Sequence, residues 1–204
     1  MTGPWVVRFD ASSCSGCKAC QAACKDHNGL RAGILWRRVY EVAGGGWTKA
    51  GGAFTQDVFA WNLSLSCNHC EAPVCAEVCP TGAVHRRPDG VVLLDSAKCM
   101  GCRYCEWACP YGAPRFDEER GVMTKCTLCA DRLDEGLAPS CVSACPMRAL
   151  DFGTRDEMKG GAEAAGFPLP DPRLTRPAMQ LKPHASPARS EAEGAVANRE
   201  EVEP

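Results

Sequence analysis

The stretch CMGCRYCEWACP, Cys99–Pro110, puts four thiols into eleven positions at the spacing C-x2-C-x2-C-x3-C and closes on a proline. The same spacing stands near the N-terminus in CSGCKACQAAC, Cys14–Cys24, without the proline. Two further groups keep the ends of this pattern and stretch its middle. They are Cys67, Cys70, Cys75 and Cys79 with Pro80, and Cys126, Cys129, Cys141 and Cys145 with Pro146. All sixteen cysteines of the 204-residue chain fall into these four groups.

Thiols two residues apart are badly placed to staple distant segments, and disulfide frameworks belong to small secreted chains, so bridged cystines are a poor reading. Zinc is the stronger competitor. A tetrahedral zinc needs two C-x2-C knuckles, however, and leaves the third and fourth cysteines of each run without work, so a zinc-binding scaffold stands as the alternative from another class. Three thiols on one tight loop, eased by Gly16 in the first run, can meet three corners of one cube. The fourth lies about one helical turn later and points elsewhere, which is the bacterial ferredoxin arrangement. At four ligands per cube, the sixteen cysteines predict four [4Fe-4S] clusters, with every cysteine a metal ligand. No nucleophile with an acid and base beside it is evident, so no catalytic residue is expected.

The totals exclude other classes. Formal net charge is -2, which provides no general attraction for nucleic acid. No run approaches the apolar length of a bilayer span, so no transmembrane segment of its own is expected. The opening MTGPWVVRFDASSC has no charged-then-apolar leader, and no secretory signal is expected there.

Short strands should flank the cysteine loops. PWVVRFD leads into the first group, VHRRPDGVVLLD reads as a hairpin turning at Pro88-Asp89-Gly90, APRFDEERGVMTK as another near Gly121, and ALDFG as a closing strand. ILWRRVYEV and DVFAWNLSLS, joined by GGGWTKAGGAF, read as an inserted hairpin. Brief helices are expected around each fourth cysteine, with one more at TRDEMKGGAEAA. The fold class that follows is α+β: two bacterial-ferredoxin-like modules packed together, with an inserted β-hairpin and an extended C-terminal tail. Residues 1–30 and 110–155 form one module, 31–66 the hairpin region, 67–109 the other module and 156–204 the extension. From Phe167 prolines and then charges dominate, and disorder is expected over the last fifteen residues.

With these features in view, the sequence resembles the iron-sulfur subunit of bacterial dimethyl sulfoxide reductase over residues 4–185. The resemblance rests on VFAWNLSLSCNHCE, CMGCRYCEWACPYGAP, GVMTKCTLC and CPMRALDFG. It implies an electron-transfer subunit that passes electrons from a quinol-oxidising membrane anchor to a molybdopterin-containing catalytic subunit. Dimethyl sulfoxide or a related S- or N-oxide is the implied acceptor; thiosulfate, polysulfide and oxyanion reductases and formate dehydrogenase use a similar wire. The resemblance also implies membrane association through partners, on the periplasmic face by co-export with a signal-bearing partner, the cytoplasmic face being the alternative. A soluble ferredoxin donor without a fixed complex is a further reading.

The resemblance implies a pairing too: Cys14, Cys17 and Cys20 with Cys145; Cys24 with Cys126, Cys129 and Cys141; Cys67, Cys70 and Cys75 with Cys109; Cys79 with Cys99, Cys102 and Cys105. Spacing alone does not choose, because the short linkers 79–99 and 109–126 suit a local pair equally well. In the similar nitrate reductase subunit a tryptophan takes the place of Cys102, so a full cube is expected here, at the quinol end. His69 reads as a hydrogen-bonding or interface residue and His27 and His85 as surface. Trp61, Tyr104, Trp107 and Tyr111 read as packing that excludes water. Arg86, Arg87 and Arg103 suit a solvated basic face, and Trp5, Trp36 and Trp47 suit either core or partner interface.

Overall fold

Val6 and Phe9 turn inward along WVVRFD and are 1% and 0% exposed, which fixes β1 (Trp5–Asp10) as a central strand. The computed structural model describes residues 4–161, 165–185 and 194–203. β1 pairs antiparallel with β10 (Leu150–Thr154) and parallel with β11 (Met179–Lys182), giving a three-stranded sheet ordered β10-β1-β11. Trp5 stacks on Phe152 across it, ring centroids 5.0 Å apart. α1 (Ala19–His27) follows β1 and carries Cys20 and Cys24 four residues apart on its buried face.

The inserted region forms β2 (Arg38–Gly44) and β5 (Phe59–Leu65), paired antiparallel from Arg38↔Leu65 to Gly44↔Phe59. Between them β3 (Trp47–Ala50) and β4 (Ala53–Gln56) make a wholly exposed tip. Val39, Val42, Trp61 and Leu63 turn inward to join Phe9, Leu150 and Met179 in the largest apolar core. Fully burying such aliphatic side chains stabilises by roughly 1.5–3 kcal/mol each.

The hairpins between cysteine groups are short. β6 (Val84–Arg86) pairs with β7 (Val92–Leu94) around Pro88-Asp89-Gly90, and β8 (Arg115–Asp117) with β9 (Val122–Thr124) around Gly121. Helices α2 (Val74–Glu77), α3 (Tyr104–Ala108), α4 (Ala130–Asp134) and α5 (Ser140–Ser143) are equally brief. The result is a mixed α and β protein of small, mostly antiparallel sheets.

Two local expectations need correction. Helices begin one residue before the third cysteine of each group, Cys20, Cys75, Cys105 and Cys141, and not around the fourth. The residue ahead of each helix is non-helical, left-handed at Lys18 and Arg103 and a proline at Pro73 and Pro139, so winding can start only after it. The segment expected as a helix at 154–165 continues β10 through Thr154 and then turns over 155–160; residues 162–164 lie outside the described residues.

The tail is ordered where it is described. β12 (Gly194–Val196) pairs antiparallel with β2, and α6 (Arg199–Val202) buries Val202 completely. Asn198 accepts from Glu41 N at 2.8 Å and donates to the Val39 carbonyl at 3.0 Å. The expected disorder of the last fifteen residues is therefore overturned for 194–203; 190–193 and 204 lie outside the described residues. The edge of β2 supplies hydrogen-bond partners that composition does not reveal.

Candidate functional site

Each cysteine loop needs a left-handed residue immediately before its second cysteine. Gly16 (φ 70), Gly101 (φ 72), His69 (φ 42) and Leu128 (φ 58) occupy the four equivalent places. Glycine is the cheap solution. It is also sterically required twice: a Cβ at Gly16 would lie 2.6 Å from Asn62 Oδ1, and one at Gly101 would strike the Gly121 carbonyl. His69 accepts the strain and gains a bond, its Nδ1 receiving the Val92 N–H at 3.0 Å.

The folded chain brings thiols of different cysteine groups together in four neighbourhoods, with Cys20 also close to Cys141 and Cys126 also close to Cys67. In the first, burial raises the Cys14 thiol and the sulfurs of Cys20, Cys145 and Cys17 add to it. In the second, burial pushes Cys24 up to about 12 against the opposing pull of Arg37, with Cys141 and Cys129 adding. Cys126 is also raised, by burial and then by Cys24, Cys67 and Cys141. In the third, Cys75 is pushed up to about 12 by burial and by Cys67, Cys109 and Cys70. In the fourth, burial and the neighbouring Cys79, Cys99 and Cys102 push Cys105 up to about 11.

Donors to sulfur line these neighbourhoods. Met123 N lies 3.3 Å from Cys99 Sγ, Leu128 N 3.3 Å from Cys126 Sγ and Ala113 N 3.5 Å from Cys109 Sγ. At Cys79 burial pulls upward, but N–H groups of Val84, Thr81 and Ala83 and the Thr81 hydroxyl outweigh it, leaving the thiol below its ordinary value.

Three cations are buried among the described residues: Arg38, which faces Glu203 at 3.9 Å, and two that lie among the thiols. Arg37 and Lys125 are both 2% exposed. Arg37 donates to Ser64 Oγ at 3.0 Å and Ser66 Oγ at 2.9 Å; Lys125 Nζ donates to the Cys126 carbonyl at 2.8 Å and to Cys67 Sγ at 3.7 Å. Neither pairs with a carboxylate among the described residues. An uncompensated buried cation costs several kcal/mol, so an anion must stand nearby. Sulfur-ligated clusters are such anions, and the all-thiol donor set suits iron and sulfide. Cys14, Cys17, Cys20 and Cys145 share the wall of one cavity; Cys67, Cys70, Cys75 and Cys109 line another. Among the described residues no three Cys, His, Asp or Glu close around a single ion, as zinc would require.

Reading the sequence missed Arg37, Lys125 and Ser64. Its available trace was Arg37-Arg38 inside the otherwise apolar ILWRRVYEV, where both arginines are buried. His69 is buried on its hydrogen bond, while His27 and His85 are exposed, His27 beside Asp131 at 3.0 Å. Trp61 and Tyr111 pack inside. Tyr104 and Trp107, expected to do the same, are 51% and 71% exposed, since the short α3 leaves its outer face uncovered. Arg103 pairs with Glu106 and Arg87 with Asp89 and Asp134, so these basic residues stand on a solvated face.

Residues 58–155 match the family model described as a 4Fe-4S dicluster domain. The sequence is 50% identical to a chain of the anaerobic dimethyl sulfoxide reductase of Escherichia coli (strain K12), covering 99% of this protein and 100% of the relative. It is 42% identical to a thiosulfate reductase electron transfer subunit of Salmonella typhi, over 77% of this protein and 79% of the relative. It is likewise 42% identical to one of the subunits of sulfite dehydrogenase from Allochromatium vinosum, over 71% and 66%.

Proposed function

The protein belongs to the family of dimethyl sulfoxide reductase iron-sulfur subunits, and we propose from that membership how its residues divide the work of moving electrons. It is an electron-transfer subunit of a molybdoenzyme and carries four [4Fe-4S] clusters. Clusters of this kind, when bound, supply one-electron exchange.

The ligand sets we propose are four quartets: Cys14, Cys17, Cys20 and Cys145; Cys24, Cys126, Cys129 and Cys141; Cys67, Cys70, Cys75 and Cys109; Cys79, Cys99, Cys102 and Cys105. Residues 1–30 with 110–155 form one ferredoxin-like module and 67–109 the other, with 31–66 inserted between them. The protein's own residues hold the sulfurs, keep water from the interior through Phe9, Trp61 and Tyr111, and aim N–H groups at sulfur so that added negative charge is stabilised. No helix among the described residues is long and apolar enough to cross a membrane. In the proposed assembly the membrane is reached through partners: a quinol-oxidising anchor and a molybdopterin catalytic subunit, on the periplasmic face. The exposed Met100, Tyr104 and Trp107 beside the Cys102 quartet support placing the anchor there. Dimethyl sulfoxide or a related S- or N-oxide is the proposed final acceptor.

One observation carries this reading: sixteen free thiols, with two buried cations that lack carboxylate partners among the described residues lying beside the first three proposed quartets. Iron and acid-labile sulfide should each reach four clusters' worth per copy of this protein in the purified complex, with EPR signals that appear on reduction. Zinc in their place, or cystine bridges, would overturn it. The catalytic subunit that co-purifies, assayed against sulfoxides, N-oxides, thiosulfate and polysulfide, tests the acceptor.

A further inference from the structure

The geometry around Arg37 goes beyond ligand assignment, although it rests on the quartets proposed above. The Arg37 main-chain N–H donates to Cys24 of the second quartet. Its guanidinium can only donate, so the Ser64 hydroxyl that receives it at 3.0 Å is left to turn its own proton toward Cys20 Sγ, 3.3 Å away in the first quartet. One residue thus addresses sulfur in two quartets. Lys125 repeats the arrangement one step along: its Nζ meets Cys67 Sγ of the third quartet and the carbonyl of Cys126 of the second, and a third donation reaches the Val92 carbonyl. The fourth quartet has no such neighbour among the described residues. Arg103, between Cys102 and Cys105 in its loop, is exposed and paired with Glu106.

We propose that Arg37 and Lys125 are shared counter-cations, Arg37 serving the first and second quartets and Lys125 the second and third, which hold the reduced state of those three quartets at higher potential than the sulfur ligands alone would give. The step they favour is the arrival of one electron from the reduced quinol-oxidising partner, with no bond made or broken. Each electron adds one negative charge to a quartet in a dry interior, and a fixed positive charge a few ångströms away stabilises it far more there than at the water-exposed surface. The fourth quartet, turned toward solvent, is set instead by the backbone N–H groups around Cys79 and Cys99.

EPR-monitored redox titration of the purified complex tests this, with Cys102→Ser marking which midpoint belongs to the fourth quartet. Arg37→Gln should move two midpoints to more negative values and Lys125→Met two, one of them common to both variants, while the fourth stays in place. Arg37→Lys and Lys125→Arg, which keep the charge, should restore most of each shift. The proposal fails if all four midpoints move together, if none moves, or if the charge-keeping variants shift as far as the neutral ones. Should Arg37→Gln not retain its clusters, Arg37→Lys and the two Lys125 variants decide by the same criteria. Iron content of the unsubstituted complex is measured first. A deficit there defeats the four-cluster reading itself, whereas full iron with unmoved potentials defeats only this inference.

Discussion

The second and fourth of the proposed quartets place the same number of thiols in opposite surroundings. Cys24, Cys126, Cys129 and Cys141 are all buried, whereas only Cys105 is buried in the fourth quartet, Cys79, Cys99 and Cys102 being half-buried. The second sits against Arg37 and beside Lys125; the fourth lies under the exposed Met100, Tyr104 and Trp107. The first three thiols of the complete ferredoxin run, Cys99, Cys102 and Cys105, serve the more exposed site. The motif therefore prescribes where sulfur goes, and the rest of the chain decides how much water and charge surround it.

That contrast should be sharpest when a ligand is lost. Cys126→Ser removes a buried thiol, and we expect loss of its cluster together with failure of the complex to assemble, read as iron content and yield. Cys102→Ser should alter or convert one cluster while assembly persists, read as a changed EPR spectrum. The reverse ranking would break the comparison.

A second measure is thermal stability. His69→Ala leaves the buried Val92 N–H without its acceptor, and such an orphan costs about 1–3 kcal/mol. His69→Asn should cost less, because asparagine tolerates left-handed backbone and keeps an acceptor. Melting temperatures of the assembled complex would rank the two. Equal losses would mean that the imidazole bond contributes little.

At the fourth quartet a smaller effect is expected from Thr81→Val, which removes a hydroxyl 3.7 Å from Cys79 Sγ. Its signature is a slight negative shift confined to one midpoint. Spread over other midpoints, it would show that the exposed quartet is not electrically separate. The least effect belongs to Lys18→Gln, which breaks a pair with Glu201 whose side chains are 39% and 47% exposed. Such a pair is worth at most about 1 kcal/mol, and the difference in unfolding midpoint should vanish in molar salt.

The four clusters and the two cluster-flanking hairpins were legible because spacing and turn chemistry are local: Pro88-Asp89-Gly90 turns whatever surrounds it. The insert was legible as well, since β2 and β5 carry their own apolar periodicity. Where the helices begin was not, because that depends on left-handed cap residues such as Lys18 and Arg103, which composition gives no reason to place there. Order at 194–203 was hidden for another reason. Val196 and Val202 are too few to suggest a core until the open edge of β2 is available to receive them. The burial of Arg37 and Lys125 was the least readable, because their counter-charge is inorganic and no paired carboxylate advertises it.

The strap formed by β12 and α6 has a consequence for biosynthesis. Gly194 pairs with Gly44, and Glu201 reaches back to Lys18 beside the first cysteine group. The lattice of strands over that group cannot be completed until translation has passed Val202. Throughout elongation the free edge of β2 and Lys18 stay uncovered, and the chain closes over them last.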